Sequence, residues 1–236
     1  MVGEGPGGGS QTVQDPRMTL FQFPKWTDGL RPLLGIAAVL TPTYIVALFV
    51  YGASAETLQV GYAPEQPIPF SHALHAGKLG MDCRYCHNTV ESADVAAIPA
   101  LATCMNCHKS ILPTAKISPK LKPLHDAWAG GQPVRWVKVH DLPEFTYFSH
   151  APHLKAGVSC VECHGRVDQM ERVQTVQPLS MSWCLDCHRN PESRLRPREH
   201  VFDLGWTTDQ DRNLLGARLR QEYGLNPRTD CSTCHR

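Results

Sequence analysis

The sequence lacks an excess of charge of either sign, with 23 lysines and arginines against 22 aspartates and glutamates. A nucleic-acid partner calls for a strongly basic face, so that class is excluded. Aromatic residues are scarce, at 8% of 236, while prolines number 19 and glycines 18. So few large apolar groups and so many helix and strand breakers leave little for a conventional core of long helices or sheets. Long apolar runs are missing as well, except for one near the N-terminus. No cysteine is left unpatterned, because all ten fall into five copies of one motif.

The copies are Cys83-Arg84-Tyr85-Cys86-His87, Cys104-Met105-Asn106-Cys107-His108, Cys160-Val161-Glu162-Cys163-His164, Cys184-Leu185-Asp186-Cys187-His188 and Cys231-Ser232-Thr233-Cys234-His235. Cys-x-x-Cys-His is the attachment signature of c-type haem. The two thiols bond the porphyrin vinyl groups, and the following His reaches the iron as proximal ligand. Zinc ribbons draw four ligands from two Cys pairs, so five pairs leave an orphan. Neither zinc nor structural disulfides demand a His after every pair. The expectation is five covalently bound haem c groups with His87, His108, His164, His188 and His235 as proximal ligands. The porphyrins supply the missing apolar bulk, giving a mostly α or irregular fold organised around five haems.

The exceptional apolar run lies at 32–55, which has no charged residue, and it is almost wholly apolar from Leu33 to Tyr51. Nineteen helical residues reach about 28 Å, enough to cross the hydrocarbon core of a membrane. Pro42 lies inside the run, as transmembrane helices tolerate. Ala53-Ser54-Ala55 resembles a small-residue cleavage site, but the run starts late and is long for a signal core. An uncleaved single-pass anchor in membrane lipid is the expectation. Arg17, Lys25 and Arg31 precede it, and the first positive residue after it is Lys78. The positive flank stays in the cytoplasm. Residues 1–31 are therefore expected to be a cytoplasmic tail, and the haem domain is expected on the periplasmic side of a bacterial cytoplasmic membrane.

Residues 56–69 read as a stalk, followed by an internal repeat. Phe70-Ser71-His72-Ala73-Leu74-His75 returns 78 residues later as Phe148-Ser149-His150-Ala151-Pro152-His153. Each copy leads into two haem motifs, as duplication of one unit would produce. The organisation is a first di-haem module at 70–130, a link and second module at 131–192, and a C-terminal segment at 193–236 with the fifth motif. The alternation Val134-Arg135-Trp136-Val137-Lys138-Val139 predicts one short strand. A helix is expected around Gln210–Tyr223, and short helices under each haem motif.

Seven histidines lie outside the motifs. Two imidazoles at i and i+3 share a helical face and point at two neighbouring irons more easily than at one. His72 is thus paired with the iron of His87 and His75 with that of His108. By the repeat, His150 is paired with His164 and His153 with His188. For the fifth iron His140 is the expected distal ligand, with His200, His125, Met170 and Met181 as competitors. Histidines suffice to close every iron to substrate, which favours electron transfer over reduction of a small molecule.

Phe-x-His-x-x-His before Cys-x-x-Cys-His resembles the class III cytochromes, small bis-histidine multihaem proteins. A longer resemblance covers nearly the whole chain. One N-terminal helix, five motifs, the link Trp136-Val137-Lys138-Val139-His140-Asp141-Leu142-Pro143 and the string Met181-Ser182-Trp183-Cys184-Leu185-Asp186-Cys187-His188-Arg189 are similar to the pentahaem subunit of bacterial alternative complex III. That resemblance implies a relay from quinol oxidation to a periplasmic acceptor, a cytochrome c or a copper protein. It implies integral-membrane quinol-binding subunits, an iron–sulfur subunit and a mono-haem cytochrome subunit as partners, and no catalysis by this chain alone. A membrane-anchored quinol dehydrogenase of the kind that feeds nitrate or nitrite reductases is the runner-up. A haem-based sensor or an electron-storage protein comes third.

Overall fold

The computed structural model describes residues 23–52, 59–111 and 118–235. The Gly-rich tail, Arg17 and the Ala53-Ser54-Ala55 site lie outside the described residues. Contacts divide the chain into two compact units, the second beginning at Tyr51.

The first unit holds most of α1, Leu30–Gly52, which continues through Pro42. A single 3₁₀ turn, Lys25–Gly29, leads into it. Within Lys25–Gly52 an 18-residue window reaches a mean hydropathy of 2.2, and none of that window is buried within the protein. It has the length and composition of a membrane anchor or a signal sequence. Arg31 pairs with Asp28 at 3.1 Å at its polar end.

The second unit has no named strand among its described residues, only isolated bridges between Thr146 and His235 and between Val158 and Leu195. Short helices carry the haem motifs: α2, Cys83–Cys86; α3, Leu101–Ile111; α6, Cys160–His164; α7, Met181–Arg189; and α9, Cys231–Cys234. Between them lie α4, Lys122–Ala129, and α5, His150–Lys155. The expected soluble helix is present as α8, Arg212–Glu222. Asp211 caps it by accepting from the backbone N–H groups of Asn213 and Leu214, which satisfies donors that a helix start leaves free.

The apolar core is split. One cluster is Ile68, Met105 and Leu124, flanked by Leu101, Val134 and Trp136. The other is Leu195, Leu215 and Leu219, flanked by Val158, Trp206 and Tyr223. In the second, Gly216 lies on the main chain of Glu192 so closely that any Cβ would collide with it. Only glycine lets α8 close onto that turn.

Residues 134–139 do not join a ladder. Gln66 provides their partner: its Nε2 donates to the Val137 carbonyl at 2.9 Å, and its Oε1 accepts from the Val137 N–H at 2.9 Å. One side-chain amide imitates a neighbouring strand, so the alternation reads as strand without a sheet to enter. The end of the stalk is held as well, because Gly61 donates to the Thr175 carbonyl and Thr175 to the Tyr62 carbonyl.

Candidate haem sites

Each Phe-Ser-His-x-x-His repeat builds the same local device. Phe70 stands edge-on to His72, with ring centres 4.8 Å apart and planes at 85°, and stacks on His75 at 4.3 Å. Phe148 meets His150 edge-on at the same 4.8 Å and 85°, and lies 4.7 Å from His153. The phenyl ring separates and braces the two imidazoles, which is why phenylalanine opens the repeat. The second His of each pair is tied to its own turn. His75 Nδ1 donates to the Ser71 carbonyl at 2.8 Å, and His153 Nδ1 donates to the Ser149 carbonyl at 2.7 Å.

Main-chain carbonyls anchor other histidines in the same way. His87 Nδ1 donates to Ala97 at 2.8 Å, His150 Nδ1 to Asp94 at 2.8 Å, His188 Nδ1 to Arg228 at 2.7 Å and His235 Nδ1 to Phe145 at 3.2 Å. A carbonyl only accepts, so each Nδ1 carries the proton and each Nε2 keeps a free lone pair. That is how metal-binding imidazoles are oriented and made more basic.

The pairs face one another across a gap. Ring centres are 6.2 Å apart for His75 and His108, 6.3 Å for His150 and His164, and 6.0 Å for His153 and His188. A metal bonds an imidazole nitrogen at about 2 Å, and that nitrogen sits about 1.1 Å from its ring centre, so rings on opposite sides of one iron stand roughly 6 Å apart. These residues fit a haem iron between them. His72 is near enough to His87 for each charge to act on the other. Burial first, then His87 and His75, lower the His72 pKa to about 4.

His140 lies edge-on against His164 at 4.3 Å, whereas the ring seen beside His235 is Phe145, at 5.8 Å. Buried atoms without a hydrogen-bond partner include His140 Nε2 and His72 Nδ1. His200 stacks on Trp206 at 5.6 Å, and His125 lies close enough to His108 to help burial and His75 lower its pKa. Burial, followed by His140, His150 and His87, holds His164 at about 3, so it is neutral and available as a ligand at ordinary pH.

None of the ten cysteines is in a disulfide. Among the described residues no three His, Cys, Asp or Glu side chains converge as a bare metal ion would require.

Behind α6 lies an ion cluster that the sequence did not announce. Arg196 is 2% exposed. It pairs with Glu162, inside the third motif, at 3.2 Å and donates to the Asp203 carbonyl at 2.9 Å. Arg212 reaches the same Glu162 oxygen at 3.6 Å, and both guanidinium groups lie 5.2 Å from the Trp206 ring centre.

Comparison with known proteins agrees with this chemistry. Residues 50–129 match the class III cytochrome C family, and residues 146–236 match cytochrome c7 and related cytochrome c. Over 137 residues the chain is 32% identical to the menaquinone reductase multihaem cytochrome c subunit of Nitratidesulfovibrio vulgaris. The aligned part is 58% of this chain and 63% of that protein.

Proposed function

We propose that this chain, a multihaem cytochrome c with class III and c7-type domains, is the haem relay of a membrane quinol oxidoreductase resembling alternative complex III. It holds five haem c groups, one at each Cys-x-x-Cys-His motif, on the periplasmic side of a bacterial cytoplasmic membrane. The observation that carries this reading is the set of imidazole pairs facing each other about 6 Å apart. Both axial positions filled by histidine leave an iron able to exchange electrons and closed to substrate.

The ligand pairs are His72 with His87, His75 with His108, His150 with His164 and His153 with His188. His140 is assigned to the fifth iron with His235. Its buried Nε2, which has no hydrogen-bond partner, supports a ligand role. Bound haem supplies one-electron chemistry. The protein's part is to hold His75, His87, His150, His153, His188 and His235 in one tautomer by their carbonyl bonds and to tune potentials through burial and charge.

Partners are the integral-membrane quinol-binding subunits, an iron–sulfur subunit and a mono-haem cytochrome, with a periplasmic cytochrome c or copper protein as acceptor. In membranes, quinol reduces these haems only when the partner membrane subunits are present. Rapid reduction by quinol of the purified chain alone overturns the relay reading and favours a quinol dehydrogenase. The similarity to a menaquinone reductase subunit favours a second reading, in which electrons run through the same relay towards quinone. Haem reduction by a reduced periplasmic cytochrome, faster than by quinol in the intact complex, distinguishes it.

A further inference from the structure

The order of the motifs in the chain is not their order in space. The first two are neighbours: His72 and His75 stand on one turn and serve the first and second motifs, and Asn106 of the second donates to the Tyr85 hydroxyl of the first at 3.1 Å. The third and fourth are neighbours through the equivalent turn, His150–Lys155.

The two modules meet through their first motifs. The Asp94 carbonyl, in the loop after His87, accepts from both the backbone N–H and Nδ1 of His150. In return, the segment that follows His164 packs on the His72–His75 turn. Ala73 donates to the Met170 carbonyl, and Gly77 has no room for a Cβ against the Asp168 carbonyl.

The fifth motif adjoins the fourth, because the residue that orients His188 is Arg228, three residues before Cys231.

We propose that the five haem sites form one unbranched series in the order His108, His87, His164, His188, His235, with the second and fifth motifs as its ends. The duplicated modules are joined head to head, like site to like site. The order rests on the relay reading for its use. An electron given by quinol through the partner subunits enters at one end, and one electron leaves at the other to the cytochrome or copper acceptor. The sites of His108 and His235 are where partners dock.

The order is tested by redox titration of the haem-loaded full chain in detergent, following the electron paramagnetic resonance signal of each haem. Signals are assigned from the distal-ligand variants. His72→Met raises the potential of the His87 haem, and a haem whose charge state changes shifts its neighbours most strongly. The titrations of the His108 and His164 haems both move, while those of His188 and His235 stay. Movement of His108 alone restores the chain order and overturns the proposal, as does any other pattern. His75→Met is the complementary variant should His72→Met lose its haem. It moves only the His87 haem, and movement of the His164 haem overturns the series. Neither quinol nor acceptor is present, so failure here leaves the relay reading standing.

Discussion

His150 gives two hydrogen bonds to a single oxygen. The Asp94 carbonyl accepts its backbone N–H at 3.1 Å and its Nδ1–H at 2.8 Å. The first bond places the start of α5, and the second sets the tautomer of an imidazole whose ring centre lies 6.3 Å from that of His164.

If His150 closes the iron of His164, His150→Ala leaves one haem in five high-spin and open to carbon monoxide, and the His188 haem stays low-spin. His75→Ala does the same to the His108 haem and spares that of His87. Resonance Raman and electron paramagnetic resonance spectra check both. A change at the His87 haem in the second variant refutes the pairing within the module.

His140→Ala is expected to make the fifth haem high-spin and to leave the His164 haem six-coordinate. The same spectra read this out. A variant with five low-spin haems assigns the fifth distal position to another residue.

Arg196→Met removes a buried partner from Glu162 and a donor from the Asp203 carbonyl. Breaking a buried pair from one side costs about 3 kcal/mol. In a domain of this size that lowers Tm by roughly 10 °C. The half-buried Arg212, changed to Met, costs less. Thermal denaturation of the haem-loaded protein followed by circular dichroism ranks the two.

Arg220 Nη1 lies 2.5 Å from Glu192 Oε1, and that hydrogen bond, followed by one from the backbone, lowers the carboxyl pKa. A carboxyl with a folded pKa below its unfolded value of about 4.3 stabilises the protein above that value. The contribution is lost as pH falls through the lower folded pKa. Glu192→Gln therefore lowers Tm at pH 6 and narrows its gap to the parent as pH falls below 4. An unchanged gap assigns the loss to packing.

Residues 1–30 are expected on the mature protein, because Arg17, Lys25 and Arg31 stand ahead of the apolar run at 32–55 and no positive residue follows it until Lys78. Intact-mass measurement decides it. A mass starting near residue 56 means a cleaved signal and no anchor.

The short helices under the motifs, α1 and α8 were legible in the sequence because each is a local pattern: a fixed spacing, an apolar run and a capped helix. The link was legible only in part. Val134–Val139 alternates as a strand does, but what faces it is the Gln66 side chain, and no rule of spacing connects residues 66 and 137. Likewise, sequence assigns His140 to the fifth iron by elimination, whereas its nearest seen ring is His164, from another motif. The role of Phe70 and Phe148 as wedges between imidazoles could have been read from the repeat, since both copies place a phenylalanine two residues before the pair. The Arg196–Glu162–Arg212 cluster could not, because its members come from segments that meet only in the folded chain.

The histidines are oriented by oxygens of Ser71, Asp94, Ala97, Phe145, Ser149 and Arg228 that all belong to the main chain. A carbonyl survives any substitution that leaves the backbone path intact. The side chains at these six positions are thereby released from ligand orientation and can drift. A genetic screen for lost haem ligation should pass over them and fall on insertions, deletions and prolines that move the path instead.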